Sequence, residues 1–233
     1  APLPPELAQR FEQTLGLHIN ESLGMTETAG LSTVAPPGGN APAGCVGWPL
    51  PHAQVRIVGL NSNGQATGQD LPTGEKGMVL YQGPNLFSGY LDTAETARSF
   101  TPDGWLITGD VGFIDEQGRL HLSGRAKDLI IRGGVNISPE EIDQLLGGHP
   151  LLGEASVFSM PDPVLGERVG VAIVPREGQD VTLEDVTAYL RAQDLAVFKL
   201  PERLFRFEAL PRNVTNKVMR SEVRNIALKM MES

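Results

Sequence analysis

The 233-residue chain has one cysteine, Cys45, no long uninterrupted apolar run and no excess of positive charge. A single cysteine excludes an internal disulfide and suits a reducing compartment, so a cytoplasmic location is expected. Cys45 has no acid or histidine close by in sequence and reads as a packing residue. A membrane-spanning helix needs an apolar stretch on the order of 18 residues, and none occurs. No charged-then-apolar leader opens the chain, so no signal peptide is expected. The net charge of −9 argues against a nucleic-acid or anionic-membrane surface, because phosphate binding needs clustered Lys and Arg. Local basic spots such as Arg125–Lys127 stay open as ligand sites. No internal repeat or low-complexity tail occurs.

What is present fits a globular protein. The chain is 40% apolar and 20% charged, and its length holds one large or two modest domains. Pro5–Leu17 carries Leu7, Phe11 and Leu15 at four-residue spacing, which predicts an amphipathic helix ending at Gly16. Leu17–Asn20 predicts a short strand leading into Gly24. Between Ser32 and Thr73 the chain is rich in Gly, Pro and Asn, notably at Ala35–Gly44 and Asn61–Gly64. Short apolar runs at Gln54–Val58 and Met78–Tyr81 complete a pattern that reads as a small, distorted β-barrel. Asn85–Leu91 reads as a packed turn and Asp92–Ser99 as a short helix.

The span Gly104–Ile137 organises the rest. Phe113–Ile114 and Leu120–Leu122 alternate about Asp115-Glu116-Gln117-Gly118, which predicts a β-hairpin. A hairpin returns its two ends to one edge, so Asp110 and Arg125 are expected to approach a single site. A carboxylate accepts two hydrogen bonds from a vicinal diol, and a guanidinium donates to the same hydroxyls, so the pair suits a ribose. Beyond Gly124 the pattern changes to an α+β lobe. Ser138-Pro139-Glu140-Glu141 predicts a capping box before a helix with Ile142, Leu145 and Leu146 inward, and capping with packing accounts for Glu141. Strands are expected at Ala155–Met160, Arg168–Pro175 and Arg203–Phe207. Thr182–Asp185 caps a helix that turns Val186, Tyr189 and Leu190 inward, and the terminal helix carries Val223, Ile226, Ala227 and Met230. A domain boundary is expected near Arg125–Asp128.

Three segments together resemble the AMP-forming acyl- and aryl-acid:CoA ligases of the adenylate-forming superfamily. They are Glu21-Ser-Leu-Gly-Met-Thr-Glu27, the Gly104–Ile137 span, and Leu210-Pro-Arg-Asn-Val-Thr-Asn-Lys-Val-Met-Arg220. Their order and approximate spacing are those of the family, and the resemblance runs to about residue 225. It implies an α+β fold with residues 1–124 as the C-terminal part of a large adenylation domain. Within that part, residues 1–30 are expected to be a remnant of an α/β nucleotide-binding core and residues 31–124 the distorted barrel. Residues 125–233 are expected to be a small mobile C-terminal lobe. The family's Ser/Thr/Gly-rich phosphate loop ending in Lys does not occur in this chain, and Ala1-Pro2-Leu3-Pro4-Pro5 reads as the start of a fragment that is inactive by itself.

The same resemblance implies site residues. Thr26 corresponds to the hydroxyl that contacts ATP phosphate, and Glu27 to the carboxylate that helps hold Mg²⁺, a hard cation that prefers oxygen ligands. Gly24 is expected to let the backbone approach the nucleotide. The family usually has an aromatic residue before this glycine; Leu23 stands there and would cover adenine by dispersion alone. Asp110 and Arg125 hold the ribose, and Lys217 matches the catalytic lysine between substrate carboxylate and α-phosphate. Asn216, where the family usually has Gly, tolerates the left-handed backbone of that turn. Lys127 matches the hinge, and Gly133 with Gly134 the part of the lobe that lines the pantetheine tunnel. The implied ligands are ATP or AMP, Mg²⁺, coenzyme A and a small carboxylic acid, with fatty, aryl and alicyclic acids all open and fatty acid metabolism one setting. Two alternatives stand beside this reading. One is an aryl-acid adenylating enzyme that loads the phosphopantetheine of a carrier protein, and the other is a non-catalytic nucleotide- or partner-binding fragment.

Overall fold

Short alternating runs between Gly- and Asp-containing turns make the first half of the chain pair antiparallel. The computed structural model describes residues 5–35, 41–42, 44–61 and 63–232. Most of the Ala35–Gly44 stretch and one residue of Asn61–Gly64 therefore lie outside the described residues, as do residues 1–4. After α1 (Pro5–Leu15), β1 (Gly24–Met25) and β2 (Gly30–Leu31) pair around one helical turn at Thr26–Thr28. Next come β3 (Thr33–Val34), β4 (Cys45–Pro49), β5 (Gln54–Leu60), β6 (Ala66–Asp70), β7 (Gly77–Gln82), α2 (Thr93–Ser99), β8 (Leu106–Ile114) and β9 (Leu120–Arg125). These strands form one seven-stranded sheet in the order β3-β4-β9-β8-β7-β5-β6. Successive residues point to opposite faces, so Ile57 and Val79 enter one apolar cluster with Leu23, Val46 and Leu120. Their neighbours Val58, Met78 and Leu80 enter a second cluster with Trp105. Cys45 is buried, and burial raises its thiol pKa, as a packing residue requires.

The expected barrel is not closed. β3 is only two residues long, and β6, mostly exposed, stands at the other edge of the sheet without pairing to it. Among the described residues no ladder joins these two edges, so the sheet stays open. Leu17–Asn20 is not a strand either, because no described strand lies beside it to complete a ladder. The helix before it stops at Leu15 through Gly16 in the left-handed conformation (φ +66°), and its Phe11 and Leu15 are exposed.

Contacts divide the chain between Lys127 and Asp128, where the sequence suggested 124/125. The second unit holds β10 (Ile130–Arg132), β11 (Val135–Ile137), α3 (Pro139–Gly147), β12 (Leu152–Asp162), β13 (Gly166–Pro175), α4 (Leu183–Ala192), β14 (Arg203–Arg206) and α5 (Arg220–Glu232). Its sheet runs β11-β10-β13-β12, with β14 parallel to β13. The long β12–β13 pair has both faces covered. Val157, Val171 and Ile173 pack with Ile142 and Leu146 of α3 and Val186 and Leu190 of α4. Phe158, Met160 and Ala172 pack on the other side with Val223 and Ala227 of α5, whereas Met230 is exposed. Thr182 caps α4 reciprocally with Asp185, as expected. The box expected at α3 does not form: Ser138 makes no capping bond, and both oxygens of Glu141 accept from Lys199 Nζ at 2.7 and 2.8 Å. Two bonds to an ammonium, with both partners charged, outweigh one bond to an uncharged backbone amide.

Ile142 is fully buried in the second unit's cluster with Val157, Val171, Val186 and Leu190. Ile142→Ala is expected to lower the unfolding free energy by about 2–5 kcal/mol, and Ile142→Val by about 0.5–1.5 kcal/mol. Urea unfolding followed by circular dichroism reads both; small and equal losses would contradict this packing.

Candidate functional site

The β8–β9 hairpin forms with its turn at Asp115–Gly118, and its register sets Asp110 directly across from Arg125. Arg125 Nε meets Asp110 Oδ1 at 2.8 Å. The two side chains differ in exposure: Asp110 is buried (6%), while Arg125 is half-exposed (48%). The Asp110 backbone N–H donates to Thr108 Oγ1 at 3.0 Å, and that hydroxyl donates to Val79 O at 2.8 Å, which ties the acid to β7. Arg125 Nη1 also donates to Thr108 O at 3.4 Å. An acid fixed this way needs little reorganisation to accept a hydroxyl, and the guanidinium keeps donors turned to solvent.

A second group of expected residues lies on the β1–β2 hairpin. Thr26 opens its helical turn with an exposed side chain, and a shallow depression is lined by Ser22, Gly24, Met25, Thr26 and residues 29–31. Two expectations change here. The side of Gly24 where a Cβ would stand is filled by the Gly30 carbonyl, only 2.3 Å from that position. Pairing of β1 with β2 thus demands this glycine, whatever approaches the depression. Leu23, expected to cover a base, sends its side chain into the sheet core with Val46, Ile57, Val79 and Leu120. It is an apolar residue in a chain whose alternation aims it inward, and its neighbours Ser22 and Gly24 face the depression instead.

Glu27 is held from a segment that the sequence marked only as a packed turn. Tyr90 donates its hydroxyl to Glu27 Oε1 at 2.5 Å, and the Phe87 amide donates to Glu27 O at 2.8 Å. Asn85 Nδ2 donates to Thr28 O at 2.7 Å and to Leu31 O at 3.0 Å, with Tyr81 OH donating to Asn85 Oδ1 at 2.9 Å. The hydrogen bond to the Glu27 carboxylate, with burial second, raises the Tyr90 pKa. Asn85 and Tyr90, at either end of Leu86–Gly89, were the sequence signal for this brace. Among the described residues no group of three or more His, Cys, Asp or Glu could hold a metal. A divalent cation here would have Glu27 as its one carboxylate and take its remaining ligands from phosphate and water, which suits Mg²⁺.

The other expected residues lie in the second unit or at the end of the first. Lys127 is exposed in a helical turn at Ala126–Asp128. Gly133 and Gly134 are the two central residues of the β10–β11 hairpin, with φ +58° and +84°, a turn that needs positive φ at both places. Lys217 is exposed on the loop before α5, beside Asn216 at φ +63°, the left-handed conformation expected of it. Sequence reading missed Arg220, whose guanidinium donates to Asp143 Oδ2 and Glu140 Oε1 at 2.8 Å each and to Val157 O at 2.5 Å. Asp128 Oδ2 stands 4.0 Å from its Nε. Burial pushes the Asp143 carboxyl up to about 6, against the opposing pull of Arg220. No local pattern announces such a cluster, since its members come from four distant segments.

Comparison with known proteins gives consistent matches. The profile of the family described as AMP-binding enzyme matches residues 1–91, and that of the AMP-binding enzyme C-terminal domain matches residues 141–217. A probable CoA ligase of Humulus lupulus is 40% identical over 94% of this chain and 41% of its own length. The crystal structure of ATP-bound MatB from Rhodopseudomonas palustris superposes with a TM-score of 0.87 at 36% identity, covering 97% of this chain and 44% of that one. The o-succinylbenzoate CoA synthetase of Bacillus subtilis, solved with the acyl-adenylate intermediate OSB-AMP, gives a TM-score of 0.80 at 30% identity, covering 96% and 44%. The chain thus spans less than half the length of the proteins it matches.

Asn85→Ala removes the donor to two carbonyls of the hairpin that carries Thr26 and Glu27. A loss of about 1–3 kcal/mol in unfolding free energy is expected, with faster hydrogen exchange at Ser32 and Thr33, whose amides bond Leu23 O. Unchanged exchange at both amides would show that Asn85 does not brace the hairpin.

Proposed function

The chain belongs to the family of AMP-binding enzymes, and from that membership we propose that the whole protein is an AMP-forming carboxylic acid:CoA ligase. The observation that carries this reading is the Asp110–Arg125 pair, an oriented, buried acid beside a half-exposed guanidinium on the last strand before the division at Lys127. Such a pair suits the vicinal hydroxyls of a nucleotide's ribose. The named relatives, a CoA ligase and a CoA synthetase solved with an acyl-adenylate, support the choice of reaction.

In the proposed reaction a carboxylate oxygen of the acid attacks the α-phosphorus of ATP. The bond to the β-phosphate oxygen breaks, giving an acyl-adenylate and pyrophosphate. The thiol sulfur of CoA then attacks the acyl carbon, its proton leaves to solvent, and the bond to AMP breaks. Asp110 and Arg125 hold the ribose through both steps. Thr26 offers its hydroxyl to phosphate, and Glu27, oriented by Tyr90, would hold Mg²⁺, which would supply charge neutralisation on the phosphates. Lys217 places its ammonium between the carboxylate and the α-phosphate, where charge builds during displacement. Gly133 and Gly134 offer a side-chain-free turn for the pantetheine arm. No base contact is assigned to the Leu23 side chain. By itself the 233-residue chain is proposed to lack this activity, because no Ser/Thr/Gly-rich loop ending in Lys occurs in it.

Asp110→Ala in the whole protein tests the reading. Removing a charged acceptor is worth about 1.5–3 kcal/mol, so the KM for ATP is expected to rise roughly tenfold or more, with a smaller effect on the acid. An unchanged KM and unchanged turnover would take Asp110 out of the site.

Lys127 is proposed as the pivot between the two half-reactions. Its turn spans the contact division, and Lys217 and the Gly133–Gly134 turn stand on separate parts of the second unit. Proline at this position would fix φ near about −65° and remove an amide donor. In the whole protein, Lys127→Pro is expected to keep carboxylate-dependent pyrophosphate exchange while thioester formation falls by orders of magnitude, and Lys127→Ala to be mild. Equal loss of both half-reactions, or normal thioester formation, would defeat the assignment.

A further inference from the structure

Lys217 sits on a small hairpin held mainly by side chains. Arg212 and Val218 form a single antiparallel bridge, and the Asn213 amide donates to Lys217 O at 2.9 Å. Asn213 Oδ1 accepts from the amides of Thr215 and Lys217 at 3.1 and 2.9 Å. Between them Asn216 adopts the left-handed backbone, which asparagine tolerates better than most non-glycine residues, and its amide donates to Asn213 O at 2.9 Å. Arg212 fastens the other side of this residue. Its Nη1 donates to Asn216 O at 2.7 Å, and its Nη2 donates to Glu154 Oε2 on β12 at 2.6 Å. One planar guanidinium thus ties the carbonyl just before Lys217 to the sheet of the second unit.

We propose that Arg212, anchored by Glu154, is a positioning residue for Lys217. It fixes the Asn216 peptide so that the lysine stem leaves the hairpin in one direction. The proposal rests on the role given above to Lys217 in adenylation. Among the described residues the Lys217 ammonium has no ion-pair or hydrogen-bond partner, so the direction of this side chain is set by the backbone beneath it. Arginine suits the task because its fork reaches two acceptors in fixed geometry, which a lysine at the same place cannot do. The pair is partly exposed, with side chains 34% and 38% accessible, so solvent screening keeps its contribution to global stability small. Arg220, packed among three carboxylates, is the structural counterpart: its loss would be felt by the whole unit. Removing Arg212 should therefore loosen the hairpin without unfolding the chain. Fewer molecules then hold Lys217 in the reactive direction, which lowers turnover in adenylation and leaves ATP binding alone.

Two measurements test this. In the 233-residue chain, amide hydrogen exchange at Lys217 is expected to speed up about tenfold or more in Arg212→Met and Glu154→Gln, with the thermal midpoint unchanged and Arg212→Lys recovering only part of the loss. In the whole protein the same variants are expected to lower kcat for carboxylate-dependent pyrophosphate exchange by about tenfold at unchanged KM for ATP. Thioester formation from supplied acyl-adenylate should keep its wild-type rate. Lys217→Ala is the reference. If Lys217→Ala abolishes exchange while Arg212→Met and Glu154→Gln match the wild type, the positioning role is wrong and the reading of Lys217 stands. An equal fall in both half-reactions would also overturn it, as would unchanged amide exchange. If Lys217→Ala is fully active, the functional reading falls, and the positioning role with it. Should Arg212→Met fail to fold, Glu154→Gln carries the same expectations.

Discussion

The antiparallel register of β8 against β9 is the constraint on which the rest of the site depends. Side chains alternate along each strand, so a slip of one residue would turn Asp110 and Arg125 to opposite faces. Near the turn the register is held by Asp115, which gathers Arg119 and His121, and at Gly112, where a Cβ would stand 2.3 Å from the His121 carbonyl. It then shifts by one residue between Gly112 and Val111, which brings Arg125 rather than Gly124 opposite Asp110. Hydrogen bonds to that carboxylate from His121 and Arg119 outweigh its burial and hold its pKa well below the usual range. Because β9 ends at Arg125, the same register fixes where the chain leaves the first sheet and enters the turn that carries Lys127.

Several expected functional residues, or the backbone beside them, are held by polar bonds. Glu27 depends on Tyr90, Thr28 on Asn85, Asp110 on Thr108 and Arg125, and the Lys217 hairpin on Arg212 and Glu154. The braces are polar and directional, whereas the cores are apolar and packed on both sheet faces. This division of labour is physically sensible. Apolar burial supplies most of the stability without fixing any one angle, and hydrogen bonds to oriented donors fix the angles that chemistry needs.

The second unit was the more legible half. Its strands β12, β13 and β14 and its helices α3, α4 and α5 follow runs of Val, Ile and Leu with clear turn residues between, and the Thr182–Asp185 cap formed as the pattern predicts. The first half was legible in its hairpin and much less so elsewhere. Leu17–Asn20 has a strand's composition but no partner, and the seven strands carry the alternation of a barrel yet stop short of closing. Alternation says which face of a strand is apolar. It does not say which strand will lie beside it, nor whether the last will reach the first.

By itself the sequence determined what depends on neighbours along the chain. That includes the β8–β9 turn, the left-handed Asn216, the place of the contact division to within a few residues, and the three motifs that carry the family resemblance. The tertiary structure decided what depends on residues brought from afar. It gave Glu141 to Lys199 rather than to a cap, sent Leu23 into the core, made Gly24 answer to the Gly30 backbone, and joined Asp143, Glu140 and Asp128 about Arg220. A turn is fixed by torsions that local residues set. A hydrogen bond or an ion pair exists only when two groups stand about 3 Å apart, and only the folded chain determines which groups those are.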